Sequence, residues 1–214
     1  MKQPQYKPPT KQGLYDPQFE HDACGLGFIV NVDGSKTHDT VRDALVVLNR
    51  LNHRGAAGAE PNTGDGAGIL LQIPHAFFAE EVSFELPEAN TYGVGMVFLP
   101  QDNTHRQQCE AIINEVLSGF DYTLLGWRDV PTDGSELGNM AQQAAPIVKQ
   151  CFVQPNHPIA GFELERSLYR IRRAIEKAIT NDFFYLPSFS SKTCLLYTSP
   201  SPRDLSTSRM PSSA

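Results

Sequence analysis

Apolar residues along the chain recur at two spacings, one typical of strands and one typical of helices. Six runs of apolar and β-branched residues predict strands, and four segments with apolar residues three or four positions apart predict helices. The strands are expected at 25–30, 69–73, 92–99, 122–130, 147–153 and within 183–193. The helices are expected from 37 or 39 to 55, at 75–82, from 103 or 104 to 118, and at 163–180. Because the two kinds of element interleave, the pattern predicts a mixed α/β fold.

Finer expectations follow from the same pattern. The strand–helix–strand order over 92–130 predicts a small inserted α/β element, and the stretch 131–145, rich in Gly, Asp and Asn, predicts a loop. The core-facing positions of the helix that ends at 118 are expected to be Gln108, Ile112 and Glu115 or Val116. Those of the longest helix are expected to be Leu164, Leu168, Ile171, Ile175 and Ile179 or Ala178, with solvated charges on the other face.

The charge of the chain limits the partners it can have. The 214 residues carry a formal net charge of -6, which argues against nucleic acid or an anionic membrane as a partner. No apolar run approaches the ~20 residues that span a bilayer, and the N-terminal residues lack the apolar core of a signal peptide. We therefore expect a cytoplasmic protein.

The four cysteines are Cys24, Cys109, Cys151 and Cys194. They are far apart and form no Cys-x-x-Cys pair, so the spacing predicts neither a disulfide framework nor a zinc ribbon. His21 and Cys24 have a possible metal-ligand spacing, but a second half-site is missing and no metal is expected. Since free cysteine usually behaves as a small buried hydrophobe, Cys109 and Cys151 are expected to be inert core residues.

The two ends of the chain differ in composition from the middle. Residues 1–23 are polar and contain four prolines, which fits either a disordered tail or a leader that is removed before residue 24. Residues 194–214 form a Ser-, Pro- and Thr-rich run without usable periodicity, and we expect a non-native or disordered tail there. The expected globular part is therefore 24–193.

Cys24 stands at the start of the first predicted strand, after a polar leader. A nucleophile at the end of a buried strand would be held rigidly, and Gly25 and Gly27 would let a substrate approach the backbone closely. A lone cysteine is more often structural. The case for chemistry at Cys24 therefore depends on motifs further along the chain.

Two such motifs follow the first predicted helix and precede the next strand. Arg54, beside the helix-ending Gly55, can turn its planar guanidinium inward to a carboxylate or to backbone carbonyls. The glycine-rich segment 61–68 precedes a strand and lacks the Lys-Ser/Thr of a phosphate-binding loop. Asp65 within it is therefore expected to form the turn or to accept a hydrogen bond in the wall of an active site.

The order Cys-Gly-Leu-Gly-Phe, His-Arg-Gly-Ala and Thr-Gly-Asp-Gly-Ala-Gly closely resembles the start of the glutamate synthase large subunit. The resemblance runs from about Leu14 to about Thr193, and in that family this region is a glutamine amidotransferase domain of the N-terminal-nucleophile type. It implies a four-layer α/β/β/α sandwich, here incomplete. It also implies that residues 1–23 are a propeptide cut between Ala23 and Cys24.

The resemblance further implies that Cys24 attacks the side-chain amide of L-glutamine. The freed α-amino group of Cys24 would act as the base, and its reference pKa of about 7.7–8.0 suits that role. Arg54, Gly55 and Asp65 are implied to support the glutamine pocket. In the whole enzyme the ammonia would pass to synthase domains that use FMN and an iron–sulfur cluster to make glutamate from 2-oxoglutarate. A small electron-donating subunit is a further implied partner, and no cofactor is expected within this chain.

The chain departs from the family in one respect. The family's oxyanion donors, an Asn-Gly pair, and its glutamine-binding Arg-Tyr-Ser/Thr segment and Asp have no match in residues 1–193. Since loss of one oxyanion donor costs ~10²–10³ in rate, we expect this chain alone to be inactive. Two alternatives stay open: another glutamine amidotransferase of this type, such as a phosphoribosyl-transferring or asparagine-forming enzyme, and a non-catalytic domain of the same fold.

Overall fold

The computed structural model describes residues 10, 11, 13, 25–51, 66–135 and 137–199, without the side chains of 140 and 196–199. Within them the chain forms five helices and six strands. The helices are α1 (His38–Arg50), α2 (His75–Glu81), α3 (Asn103–Gly119), α4 (Asn139–Ala144) and α5 (Gly161–Ala178). The strands are β1 (Ala67–Gln72), β2 (Gly93–Leu99), β3 (Tyr122–Asp129), β4 (Ile147–Pro155), β5 (Tyr185–Ser190) and β6 (Thr193–Ser199). The expected mixed α/β class is confirmed.

A four-stranded antiparallel sheet in the order β3-β4-β2-β5 forms the centre of the structure. The sequence of β2 is apolar on both faces, and all seven of its residues are buried. β2 pairs with β4 along its whole length, from Gly93 opposite Val153 to Leu99 opposite Ile147, and with β5 on its other edge. A strand that is apolar on both sides is stable only inside a sheet that is covered on both faces.

α3 and α5 cover one face of this sheet. Successive side chains of a strand point to opposite faces, and Val97 and Leu99 of β2 belong to the cluster on the helical side. The helices contribute residues at helical spacing, namely Cys109, Ile113 and Leu117 from α3 and Leu164, Leu168, Ile171 and Ile175 from α5. All of these are almost fully buried. One apolar stripe on each helix therefore attaches the helical layer to the sheet.

α2 and β6 pack on the opposite face, against the other set of β2 side chains. The Phe152 ring of β4 contacts Phe78 of α2 edge-on, with 5.0 Å between ring centroids, and Phe84 at 5.4 Å. Leu195 of β6 packs beside Met96 of β2 in a second cluster on this face. Aromatic packing and the start of β6 therefore close this side of the central sheet.

β1 and β6 form a separate two-stranded antiparallel sheet. The Ile73 amide donates to the Lys192 carbonyl at 3.0 Å, which extends this pair beyond Gln72 and Thr193. The Leu195 amide donates to the Ser188 hydroxyl of β5 at 3.3 Å, which joins β6 to the central sheet. α1 packs against β1 with a half-buried apolar face. None of the described helices has both the length and the hydropathy needed to cross a bilayer.

Most of the predicted elements are confirmed to within two residues. The strands expected at 69–73, 92–99, 122–130 and 147–153 are β1 to β4, and the helices expected at 75–82, 104–118 and 163–180 are α2, α3 and α5. The predicted buried face of α5 is correct. Thr37 is the N-cap of α1, but the helix ends at Arg50, earlier than expected, and Gly55 lies outside the described residues.

The expected strand at 25–30 is wrong. No residue of this segment belongs to a strand, and Leu26 and Phe28 are 94% and 90% exposed. An apolar run becomes a strand only where a neighbouring edge accepts and donates its backbone hydrogen bonds. None of the described strands pairs with this segment.

Two further expectations about the middle of the chain are also wrong. A third, the core-facing stripe of α3, is wrong for Gln108 and Glu115, whereas Ile112 and Val116 do pack against the core. The segment 92–130 is not an insertion, because β2 lies inside the central sheet and β4 separates it from β3. The stretch 131–145 contains the short helix α4. The buried stripe of α3 runs through Cys109, Ile113 and Leu117. Rotating α3 onto the expected stripe would have placed the exposed Gln108 and Glu115 in the core, which is costly for polar groups without partners.

From their composition, residues 194–214 were expected to form a non-native or disordered tail. In the structure, residues 194–199 belong to β6 and Cys194 is fully buried. Backbone pairing explains the difference, because the edge of β1 can hydrogen-bond to any neighbouring chain whatever its side-chain periodicity. The expectation that 194–214 is a non-native tail stays a prediction.

Replacing Gly95 by Ala should destabilise the fold. A Cβ at this position would lie 2.5 Å from Phe189 Cδ2 and 2.6 Å from Cys151 Sγ, so the added methyl group would overpack the core at a cost of about 1–3 kcal/mol. Gly119→Ala is the control: a Cβ there meets no atom within 4 Å, and it should leave stability unchanged or raise it by up to about 1 kcal/mol. Urea unfolding of both variants measures the difference, and equal midpoints would contradict the packing described.

Candidate active site

The five residues to which the sequence assigns a role lie outside the described residues. They are Ala23, Cys24, Arg54, Gly55 and Asp65. The structure does describe the residues that flank them: Gly25 follows Cys24, Leu51 precedes the segment with Arg54 and Gly55, and Gly66 follows Asp65. The arrangement of these flanking residues is therefore what bears on the site.

The segment that follows Cys24 lies against α1. A Cβ on Gly25 would be 2.9 Å from Leu51 Cδ2, and a Cβ on Gly27 would be 2.5 Å from Val47 Cγ1. Val47 and Leu51 are four residues apart and so share one face of α1. The two glycines are thus required for close contact between this segment and the helix. The expectation that they let a substrate approach the backbone stays a prediction.

A turn ties the other end of this segment to the start of α1. The Gly34 amide donates to the Asn31 carbonyl at 2.9 Å, and Gly34 has a φ of 75°, which favours glycine. The Asn31 side chain donates to Thr40 Oγ1 at 3.0 Å. The Ser35 amide donates to the Asp33 carboxylate at 3.0 Å, and hydrogen bonds from Ser35 lower the pKa of Asp33. These hydrogen bonds therefore form a turn at 31–34 and connect it to the start of α1.

The flanks of the three motifs converge on α1. Gly25 touches Leu51, so the residue after Cys24 meets the residue that precedes 52–60. β1, which begins at Ala67 shortly after Asp65, packs against the same helix. Two of the motif segments therefore adjoin residues that contact each other, and the third leads into a strand that packs on the same helix.

The other three cysteines are poor candidates for a nucleophile. Cys109, Cys151 and Cys194 are free thiols and are almost fully buried. Burial raises the pKa of Cys109, and it raises the pKa of Cys151 and of Cys194 to about 12. Because the thiolate is the reactive form, these thiols are inert near neutral pH. The predictions that Cys109 is inert and that Cys151 packs inside are confirmed.

One polar network on α5 was not found from the sequence. The Glu165 carboxylate accepts hydrogen bonds from Ser190 and Ser191 at the turn between β5 and β6. Its position next to Leu164, at the border of the apolar face, is the signal that could have drawn attention to it. Because α5 carries many charges of both signs, Glu165 was predicted to be one more solvated charge.

The described residues contain no group of three or more His, Cys, Asp and Glu side chains able to hold a metal ion.

Residues 24–206 match the family of class-II glutamine amidotransferases. The chain belongs to this family. The matched region of this amidotransferase begins at Cys24 and leaves residues 1–23 outside it. It also continues past residue 193, where the resemblance seen in the sequence was expected to end.

The amidotransferase chain is similar to several glutamate synthases. It is 44% identical to the glutamate synthase [NADPH] large chain of Bacillus subtilis over 189 residues, which cover 86% of this chain and 12% of the relative. It is 36% identical to the glutamate synthase [NADH] of Saccharomyces cerevisiae over 200 residues, which cover 86% of this chain and 9% of the relative. It is 40% identical to ferredoxin-dependent glutamate synthase 2 of Synechocystis over 177 residues, which cover 81% of this chain and 11% of the relative. The chain thus spans about a tenth of the length of these relatives.

Alkylation should separate Cys24 from the other cysteines. At pH 8 a thiol with a pKa of about 12 carries ~10³-fold less thiolate than an ordinary cysteine. We therefore expect iodoacetamide to modify Cys24 in the native chain and to modify Cys109, Cys151 and Cys194 only in denaturant, as read by peptide mass spectrometry. Native-state modification of Cys151 at the denatured rate would contradict the burial described.

Proposed function

We propose that the chain is the ammonia-producing glutaminase domain of a glutamate synthase, in which Cys24 hydrolyses the side-chain amide of L-glutamine. The observation that carries the proposal is the family match that begins at Cys24. The glutamate synthases among the similar proteins favour this enzyme over other amidotransferases of the class.

The proposed chemistry uses two groups of one residue. The Cys24 thiolate attacks the amide carbon of glutamine, the C–N bond breaks, and the protonated α-amine of Cys24 donates a proton to the departing ammonia. Water then hydrolyses the γ-glutamyl thioester and releases glutamate. Because a peptide nitrogen is not a base, the proposal requires that the bond between Ala23 and Cys24 be cut first. The inert environments of Cys109, Cys151 and Cys194 support the choice of nucleophile.

We assign Arg54, Gly55 and Asp65 to the support of the glutamine pocket. The contact between Gly25 and Leu51 supports this role for Arg54 and Gly55, because their segment departs from the end of α1 that touches the residue after Cys24. The packing of β1 on α1 supports the role of Asp65 in the same way. The planar guanidinium of Arg54 would order the pocket by binding a carboxylate or backbone carbonyls of the protein.

The finer fold that we propose is an incomplete α/β/β/α sandwich of the N-terminal-nucleophile type. Its support is the layer order: α3 and α5 lie on one face of the central sheet, the β1–β6 pair begins on the other, and α1 packs on β1. The exposure of Leu26, Phe28 and Leu70 supports an incomplete sandwich, since large exposed apolar side chains mark a surface that a further layer would cover.

The remaining steps belong to a longer protein. We propose that the ammonia reaches synthase domains that use FMN and an iron–sulfur cluster to convert 2-oxoglutarate into glutamate, with a small subunit as the electron donor. The names of the relatives support a glutamate synthase as the longer protein, and their much greater length leaves room for further domains. We expect the 214-residue chain alone not to turn over glutamine, because the oxyanion and glutamine-binding motifs have no match in residues 1–193.

Cys24→Ala in the longer protein should lower the rate of ammonia release from glutamine by about 10³-fold or more, because the nucleophile is gone. Synthesis of glutamate from 2-oxoglutarate and added ammonia should persist, since that reaction bypasses the glutaminase site. Both rates can be measured on one preparation by following glutamate and ammonia.

Cys109→Ala is the matched control, because it removes a thiol from the buried stripe of α3. It should retain glutamine-dependent ammonia release within about threefold of the parent. If Cys24→Ala releases ammonia from glutamine at the parent rate, the glutaminase assignment is wrong. That result would favour the alternative of a non-catalytic domain of the same fold.

A further inference from the structure

The turn between β5 and β6 is held by a single carboxylate. Glu165 of α5 accepts hydrogen bonds at 2.9 Å from Ser190 Oγ, at 2.6 Å from the Ser191 amide and at 2.6 Å from Ser191 Oγ. Ser191 is buried, and Ser190 Oγ in turn accepts from the amides of Lys192 and Thr193. The carboxylate therefore satisfies, directly or through Ser190, the donors of the whole turn.

Glu165 differs from the other acidic residues of α5. Glu163 pairs with Arg166, and Glu176 pairs with Arg172 and Arg173, so both belong to salt bridges along the helix. The hydrogen bonds of Glu165 go instead to serine hydroxyl and backbone amide groups that are far away in the sequence. This geometry is that of a carboxylate which fixes a turn rather than one that stabilises its own helix.

This turn is where the central sheet passes into the β1–β6 pair. The Lys192 carbonyl accepts the Ile73 amide at 3.0 Å directly after β1, and Thr193 opens β6 opposite Gln72. A shift of the turn would therefore move β6 and, through its pairing, β1. The segment with Asp65 precedes β1, and α1 on β1 contacts Gly25, the residue after Cys24.

We propose that Glu165 is a positioning residue of the glutaminase site, a role that rests on the function proposed above. It touches no reacting atom. By holding the turn at 190–193 on α5 it fixes the position of β6 and β1 over the central sheet, and through them the position of α1 and of Gly25, the residue that follows the proposed nucleophile.

Glu165→Gln in the 214-residue chain tests the proposal. The amide group cannot accept all three hydrogen bonds: its oxygen can keep the two from Ser191, but its NH₂ would then face Ser190 Oγ, which already accepts from the Lys192 and Thr193 amides. Native-state hydrogen exchange should accelerate about tenfold or more at Ile73 and Leu195, with no change in the amides that join β2 to β4. Glu163→Gln is the matched control, since it lies on the same helix and pairs only with Arg166, and it should leave all of these rates unchanged.

A second readout separates positioning from general loosening. In Glu165→Gln, the rate at which iodoacetamide alkylates Cys24 should change about threefold or more and come closer to the rate measured in denaturant. The core thiols Cys109 and Cys151 should stay protected. Protection of those two thiols shows that the variant remains folded. If Glu165→Gln does not fold, Ser191→Ala can replace it, because it removes the hydroxyl donor and keeps the backbone hydrogen bond. It should give smaller changes in the same exchange rates and in the alkylation rate of Cys24.

Three outcomes would overturn the proposal: unchanged exchange at Ile73 and Leu195, acceleration of all amides together, or local acceleration with an unchanged Cys24 rate. The function proposed above fails by a different result, in which Cys24→Ala retains ammonia release. The hydrogen-exchange response to Glu165→Gln does not depend on that result, so the two failures are distinguishable.

Discussion

The burial of β2 on both faces is the constraint on which the rest of the structure depends. All seven of its residues are buried, and both of its edges are paired. One set of its side chains requires the apolar stripes of α3 and α5, and the other set requires α2 and the beginning of β6. Burial of apolar surface is the main favourable term in folding, and here it fixes which elements can form layers.

The candidate site is connected to that core by a short series of contacts. β5 lies beside β2, the turn after it is bonded to Glu165, and β6 then pairs with β1. α1 packs on β1 and holds Gly25 and Gly27 against Val47 and Leu51. Glycine is needed at these two places, because a side chain there would push the segment that follows Cys24 away from the helix. A reactive thiol needs such fixed surroundings, since small displacements of a nucleophile cost rate.

Local elements could be predicted from the sequence, whereas their partners could not. The apolar runs located β1 to β4, and the spacing of Leu164, Leu168 and Ile171 identified the buried face of α5. Strand order is a non-local property, so nothing within 92–130 indicated that β4 would lie between β2 and β3. For the same reason the apolar run at 25–30 was predicted as a strand although no described strand pairs with it.

The candidate site residues came from motifs rather than from geometry. The order of the three motifs identified Cys24, Arg54, Gly55 and Asp65 through a resemblance, and the family match supports the class of protein. No periodicity could reveal Glu165, because its partners Ser190 and Ser191 are about 25 residues away in the sequence. Residues that act by holding a distant turn become visible only in a structure.

The central claim is that one residue supplies both the attacking thiol and the proton-carrying amine. The most direct measurement is the identity of the N-terminal tryptic peptide of the protein isolated from its own cells, with its α-amine labelled before digestion. The account predicts the peptide Cys24–Lys36 with a labelled α-amine, because only a freed amine can act as the base. Recovery of Gln12–Lys36 as the sole form, with residues 23 and 24 still joined, would contradict it.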